Sequence, residues 1–352
     1  MLGGGEYSFL DLAARVKNRW NILTVVPDEG DLASRLREMT LRTMVIPLPP
    51  LKHWLAPDIL KALAAYSKIC LNFRPDLIYA NGSRAAVYGG ITGRILQIPV
   101  IWHCRIATPD IYLDFILSIL MNRIIANSQA SARRFSSVFR RKVRVVHNGI
   151  DLEWMKNPSV VKLDMVPTHW KVVLNVGRVS ASKRHDLLLG AFDRIAHVMP
   201  NAHLVLVGSP DALEPARWNY LQRLSRRSVF SDRIHWIGHV EDVRPWYRAA
   251  SVFIMASENE AFGRVLVEAM ACGVPVVAVR SGGVPEIVRD GQDGFLVTTG
   301  DVAGIADAAL EIIEDDGLRS RLSVSALDRA ECFRMTEYVQ GVLRVFDEIL
   351  KN

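Results

Sequence analysis

The sequence predicts an α/β protein of two doubly wound domains, each a parallel sheet covered by helices. Three observations predict it. Apolar β-branched runs alternate with helix-period stretches through the first 150 residues. The same alternation restarts after a break near residue 151. A length of 352 residues also exceeds what one hydrophobic core normally serves. Strands covered on both faces read as continuous apolar runs, and these segments do.

In the first half NILTVV, TMVIPL, DLIYA, PVIWH, RIIAN and VRVVHN read as strands. Between them DLASRLREM, DILKALAAYSKICLNF, SRAAVYGGITGRILQ and SQASARRFSSVF read as helices. The second half repeats the rhythm with KVVLNVG, AHLVLVG, RIHWIG, ASVFIMA, PVVAV and GFLV. Two Rossmann-like domains follow, with the first over residues 1–151 and the second over 152–335. Leu152 to His169, with two prolines and weak periodicity, reads as linker. Residues 336–352 form an amphipathic helix with Tyr338, Val339, Val342, Val345, Phe346 and Ile349 on one side. Such a face needs a surface to pack on, and the N-terminal domain is the expected one.

The start is irregular. Gly3, Gly4 and Gly5 lead straight into a helix pattern, whereas glycine turns of this kind normally follow a strand. The expectation is a first domain with its first strand missing and an edge or gap left in its sheet.

Composition narrows the function. Half the residues are hydrophobic and 23% are charged, an ordinary globular balance. Cys70, Cys104, Cys272 and Cys332 form no CxxC pair, which argues against a zinc site or a disulfide framework and suits a reducing cytoplasm. The apolar stretch at residues 111–125 is interrupted by Asp114 and Arg123 and is short for a membrane span. No signal peptide is expected. Residues 1–150 carry 20 Lys+Arg against 10 Asp+Glu, and the remainder 23 against 27. A basic first half suits an anionic partner, such as a phospholipid surface or a phosphate-bearing acceptor, or simply a solvated face. The basic residues are not interleaved with stacking aromatics, so nucleic acid is not expected.

Three constellations carry chemistry. Gly4 and Gly5 let backbone N–H groups approach an anion at a helix N-terminus, although a flexible terminus has the same composition. In NVGRVSASKRHDLLLGAF, a strand ends at Gly177, Arg178 follows it, and Lys183 precedes the next helix. Two cations beyond a strand's carboxyl end suit a diphosphate, and surface cations are the bland alternative. The Walker order is absent. In ASENEAFGRVLVEAMACG, Glu260 lies beside a helix N-terminus and Glu268 just over a turn inside it. Phe262 and Gly263 leave backbone N–H groups at that turn. A cap explains Glu260 alone, but not Glu268 beside Ala269 and Ala271 or the SGGVPEIV that follows.

These residues resemble the retaining glycosyltransferases of family 4, which have the GT-B fold. The resemblance rests on Glu260 and Glu268 in E-x7-E, followed by ACGVPVVAVRSGGVPEIVRDGQDGFLV. In the family's order come also GGGEYSFLDLA, VIWHC, IIANSQASARRF, VRVVHNGID and LNVGRVSASKRHDLLLGAF. It covers nearly the whole chain. It implies two Rossmann-like domains facing each other across a cleft, with closure excluding water. It implies that Arg178 and Lys183, with Gly177, bind the donor diphosphate and neutralise the leaving nucleotide in place of a metal. Glu268 would hold the ribose, and Glu260 would contact the donor sugar near the reacting carbon. Phe262 and Gly263 would offer backbone N–H groups, and Gly4 and Gly5 would approach the donor phosphate. His103 would sit on the acceptor side, with a satisfied core histidine as its competing reading. Gly283 and Glu286 are weaker pocket candidates. Cys104 and Arg105 stand where the family often has an acidic residue.

The implied enzyme is a retaining hexosyltransferase of polysaccharide biosynthesis. It would need no cofactor or metal, use a UDP- or GDP-linked donor, and serve a glycan or lipid-linked acceptor. It would be cytoplasmic, with peripheral contact to an anionic membrane. Competing readings are a nucleotide-sugar-binding homologue without turnover and a sugar-nucleotide epimerase on the same fold. The epimerase needs acid–base groups on both sides of the sugar. The first half offers only His53, His103 and His147 as histidines for that task.

Overall fold

The computed structural model describes residues 2–49, 57–157, 163 and 165–351. His53 and residues 158–162 and 164 of the expected linker lie outside the described residues. The chain divides into two compact units, one of Met1–Gly149 with Met335–Asn352 and the other of Ile150–Arg334.

The first unit opens with helix α1 (Gly4–Val16), then β1 (Leu23–Val26), α2 (Asp31–Glu38), β2 (Arg42–Val45) and α3 (Pro57–Phe73). It continues with β3 (Ile78–Asn81), α4 (Ser83–Leu96), β4 (Val100–Cys104) and α5 (Ile111–Leu120). β5 (Arg123–Ala126), α6 (Gln129–Ala132) and β6 (Val143–Val145) complete the run. All of its strand pairs are parallel.

The sheet of this unit is in two pieces. β1 pairs with β2, β3–β4–β5–β6 form a second sheet, and β1 and β3 do not pair. A doubly wound order places the strand that feeds the glycine turn at this position. The gap is a cavity of about 730 Å³, lined from one side by Leu23 to Val26 and from the other by Ile78 to Asn81. The backbone shows which groups face it. The Ile78 N–H donates to the Pro99 carbonyl at 2.9 Å and the Gly82 N–H to the His103 carbonyl at 3.0 Å. Alternation along β3 then turns the backbone groups of Tyr79 and Asn81 away from β4. On β1 the Val26 carbonyl accepts from the Ile46 N–H at 3.0 Å, so Leu23 and Val25 turn away from β2.

The second unit begins with α7 (Leu152–Lys156), inside the stretch read as linker. Asp151 caps it, its carboxylate accepting from the Trp154 N–H at 3.0 Å. β7 (Lys171–Val176), α8 (His185–Val198), β8 (Ala202–Val207), α9 (Pro215–Arg227) and β9 (Ile234–Gly238) follow. Then come α10 (Arg244–Ala249), β10 (Ala250–Met255), α11 (Arg264–Ala271), β11 (Val276–Val279) and β12 (Gly294–Val297). Helices α12 (Val302–Glu314) and α13 (Asp316–Ala330) close it. The six strands form one unbroken parallel sheet in the order β12-β11-β10-β7-β8-β9. Alternate residues feed separate cores on its two faces. Val172, Leu174, Phe253 and Val276 pack toward α11, and Val173, Val252, Ile254 and Val277 toward α8 and α12.

Helix α14 (Met335–Leu350) belongs to the first unit. Its Tyr338, Val342, Val345 and Phe346 are buried with Leu12 and Val16 of α1, Ile101 of β4 and Ile125 of β5. An apolar face of this size loses most of its hydration only against such a partner.

The amides that face the gap lack the ladder bonds of their neighbours. By hydrogen exchange followed residue by residue, Val25, Tyr79 and Asn81 should exchange at least about tenfold faster than Ile78 and Gly82. Equal protection would mean that the two sheets close on each other.

Candidate active site

The expected donor residues of the second unit lie beyond the carboxyl ends of its central strands, where ligands bind in open α/β sheets. β7 ends at Val176, and Gly177 follows with its N–H donating to the Val207 carbonyl at 2.9 Å. Gly208 lies against it so closely that a Cβ there would stand 2.0 Å from the Gly177 carbonyl oxygen. Arg178 projects half-exposed and pairs with Asp211 at 3.1 Å. A short 3₁₀ turn, Ala181–Lys183, then leads into α8 through Arg184, which has φ +48°.

Lys183 and Glu260 meet here. The Nζ of Lys183 donates to Glu260 Oε2 at 2.5 Å, joining the turn after β7 to the loop after β10. A second link runs parallel to it, for the Glu258 N–H donates to the Ser182 carbonyl at 3.0 Å. Arg184 also pairs with Glu258 and Asp186, and Asp186 with Arg217. The sequence reading passed over this outer network of Arg184, Glu258, Asp186 and Arg217. Its signal was the charge density of KRHD and SENE.

The backbone of the Glu260 loop is fixed from the other side. The Glu260 carbonyl accepts from the Gly283 N–H at 2.8 Å. Gly282, at φ +54°, approaches so closely that a Cβ would lie 2.0 Å from that oxygen. The GG of SGGVPEIV therefore serves the loop's shape. Phe262 is buried, its ring packed against that of Phe333 at 5.6 Å, so its side chain serves the core. Gly263, at φ +102°, forms the N-cap of α11 and aims that helix's amino end at the space beside Glu260. Glu268 sits on α11 and accepts from the Tyr247 hydroxyl at 3.1 Å, with Arg264 at 3.7 Å. Glu286 closes a 3₁₀ turn, and its carbonyl accepts from Arg329 at 2.6 Å.

In the first unit, Gly4 and Gly5 open α1 as expected of a glycine turn. His103 differs from a site residue at a strand's mouth. It lies within β4, is wholly buried, and its Nδ1 meets the Tyr79 hydroxyl at 2.5 Å. Its Nε2 is buried without a partner. Burial, and then the charge of Arg105, hold its pKa well below the usual histidine range, so the ring is neutral. Arg105, just past the end of β4, takes the place at the mouth. Its guanidinium donates to Asn81 at 2.9 Å, Asn148 at 2.5 Å and the Tyr338 hydroxyl at 3.0 Å. Its stem runs along Gly5, where a Cβ would meet it at 3.6 Å. Asn81 in turn donates to the Gly5 carbonyl at 3.3 Å. The sequence reading met Arg105 only as a departure from the family pattern.

Residues 2–154 match the family model described as Glycosyltransferase Family 4, and residues 170–315 match Glycosyl transferases group 1. The structure of HepE from Anabaena in complex with UDP covers 98% of this chain and 96% of its own, at 26% identity and a TM-score of 0.83. Its complex with UDP-glucose gives a TM-score of 0.85. The chain belongs to the family 4 glycosyltransferases. Its two Rossmann-like domains are those of the GT-B fold. Among curated relatives, the D-inositol 3-phosphate glycosyltransferase of Streptomyces avermitilis is 34% identical over 60% of this chain and 48% of its own length. The lipopolysaccharide core biosynthesis glycosyltransferase LpsE of Rhizobium meliloti is 33% identical over 57% of this chain and 56% of its own. The chain thus spans about half the length of the curated relatives it matches.

Two outcomes test this architecture. Gly282→Ala forces a Cβ onto the Glu260 carbonyl in a left-handed conformation, and should cost about 2 kcal/mol or more in urea unfolding. His185, buried at the start of α8 beside Lys183 and Arg217, has its pKa pushed down to about 4, chiefly by burial. A group depressed below its unfolded value of about 6.5 favours folding above that pH. Stability should be full above about pH 6.5 and fall as pH drops toward 4. His185→Gln should flatten that part of a melting-temperature profile.

Proposed function

We propose that this protein transfers a hexose from a nucleotide-sugar donor to a glycan or lipid-linked acceptor, with retention of anomeric configuration and without a metal. The observation that carries the reading is the Lys183–Glu260 pair at the mouth of the second sheet. It places a cation and a carboxylate side by side beneath the amino end of α11.

Cleaving the bond between the anomeric carbon and the diphosphate oxygen leaves negative charge on the nucleotide and positive charge on the sugar. Lys183, Arg178 and the α11 N–H groups stabilise the first, and the Glu260 carboxylate stabilises the second. Each cation has a counter-ion, Asp211 for Arg178 and Glu260 for Lys183. An arriving diphosphate therefore competes with carboxylates that are in place, and it frees Glu260 to turn toward the sugar. Two fixed cations do the charge neutralisation that a divalent ion supplies elsewhere. Glu268, oriented by Tyr247, holds the ribose hydroxyls. The acceptor hydroxyl then forms the new glycosidic bond and passes its proton to the departing diphosphate oxygen.

HepE, which resembles this chain over nearly its whole length, was solved with UDP and with UDP-glucose, which favours uridine over guanosine as the donor base. LpsE acts in lipopolysaccharide core biosynthesis, which supports a glycan or lipid-linked acceptor. His103 keeps a place in this reading as a neutral residue behind the acceptor side, where it sets the orientation of Tyr79.

The test has two arms. UDP should raise the melting temperature at lower concentration than GDP or ADP. Lys183→Ala should melt cooperatively near the wild-type temperature, yet lose transfer by about two to three orders of magnitude. Full turnover in the folded variant would remove the assignment.

A further inference from the structure

Helix α5 reverses the usual pattern of a surface helix. Its outward residues Ile111, Tyr112, Phe115, Ile116 and Ile119 are between 54% and 85% exposed, and none is polar or charged beyond the tyrosine hydroxyl. Its inward side carries Asp114 and Ser118 along with Leu117, all three buried. A solvent-facing helix normally does the opposite.

The helix is held firmly in this orientation. Asp114 receives the Arg134 guanidinium through two bonds of 2.8 and 2.5 Å. Asp110 caps the amino end by accepting from the Leu113 N–H at 3.1 Å. Lys142 Nζ closes the carboxyl end on the Ser118 and Met121 carbonyls at 2.9 and 2.8 Å. The apolar face is therefore displayed by a pinned element.

The patch continues beyond the helix. Phe139 stacks edge-on to Phe115 at 5.4 Å, and Val138 beside it is 77% exposed. Cations surround it. Arg133, Arg140 and Arg141 are exposed, and no carboxylate pairs with them among the described residues. Lys142 adds a cation at the helix's carboxyl end, whereas Arg123 is paired with Glu348 at 2.9 Å. Asp110 is the one acid on the exposed side of the helix, and it is engaged as the cap. A contiguous apolar face with a cationic rim fits one class of partner by both chemistries.

We infer that the outward face of α5, with Val138, Phe139, Arg133, Arg140 and Arg141, docks this protein onto an anionic phospholipid surface. The apolar side chains enter the boundary between headgroups and acyl chains while the arginines meet lipid phosphates. The inference deepens the acceptor part of the reading above and rests on it only for what the surface delivers, a lipid-linked acceptor.

The experiment is co-sedimentation of the full chain with vesicles of phosphatidylcholine alone and of phosphatidylcholine mixed equally with phosphatidylglycerol. Wild type should pellet with the mixed vesicles, remain in solution with the neutral ones, and release as salt rises. Ile111→Ser/Phe115→Ser/Ile116→Ser and Arg140→Glu/Arg141→Glu should each weaken partitioning about tenfold or more. All five positions are exposed, and the circular dichroism and UDP melting shift of each variant check that it is folded. Equal partitioning to both vesicle types, or wild-type partitioning in either variant, would overturn the inference. So would light scattering that shows a dimer which the serine variant dissociates, because the patch would then cover a second copy. Vesicle binding is read without turnover, so its failure and a failure of the transferase reading are separate results.

Discussion

Lys183 and Glu260 hold each other at 2.5 Å across the ends of two neighbouring strands, and the rest of the candidate site is arranged around that contact. β7 and β10 must be adjacent and parallel for the two loops to meet. That adjacency in turn needs an unbroken sheet with apolar cores on both faces, which the second unit has. The pair is partly exposed, so it adds little to stability. Its consequence is chemical. In the proposed transfer, a carboxylate in that position without its lysine would repel the donor diphosphate, and a lysine without its carboxylate would leave the sugar's developing charge unmet.

Backbone proximity supports the pair as much as charge does. Gly177 against Gly208 and Glu260 against Gly282 are places where main chain touches main chain with no room for a side chain. Glycine is needed at 208 and 282 for both reasons at once, positive φ and close approach. This explains why the glycine pair after the E-x7-E segment accompanies the two acids. It fixes the loop from which Glu260 projects, and it leaves the ligand-facing side of that loop to the acid.

Much of this was legible before the fold was seen. Every strand stands on an apolar run that the sequence displays openly, because a parallel sheet covered on both faces demands such runs. Other features were hidden for physical reasons. SQASARRFSSVF has helical periodicity throughout, but α6, capped by Ser128 accepting from the Ser131 N–H at 2.9 Å, ends at Ala132. His103 was hidden by the run it belongs to. All five residues of β4 are buried, so no alternation told which of them reach the strand's mouth. Arg105, one residue past the strand, donates to three neutral acceptors from segments far apart in sequence, which no local pattern announces.

Arg105 and Arg134 show two different uses of a guanidinium group within the first unit. Arg134 is neutralised by Asp114, and the pair anchors α5 so that an apolar face can point outward without the helix turning over. Turning the helix over would bury Ile111, Phe115 and Ile116 and expose Asp114, along with the now buried Leu117. The ion pair opposes that rotation because leaving either partner buried alone is strongly unfavourable. Arg105 has no such carboxylate, and instead ties the α1 glycine turn, the β3 end, Asn148 and α14 into one cluster. One arginine thus holds a hydrophobic surface toward solvent and the other holds a glycine turn in shape. Both jobs require a rigid, multiply donating cation that lysine cannot imitate.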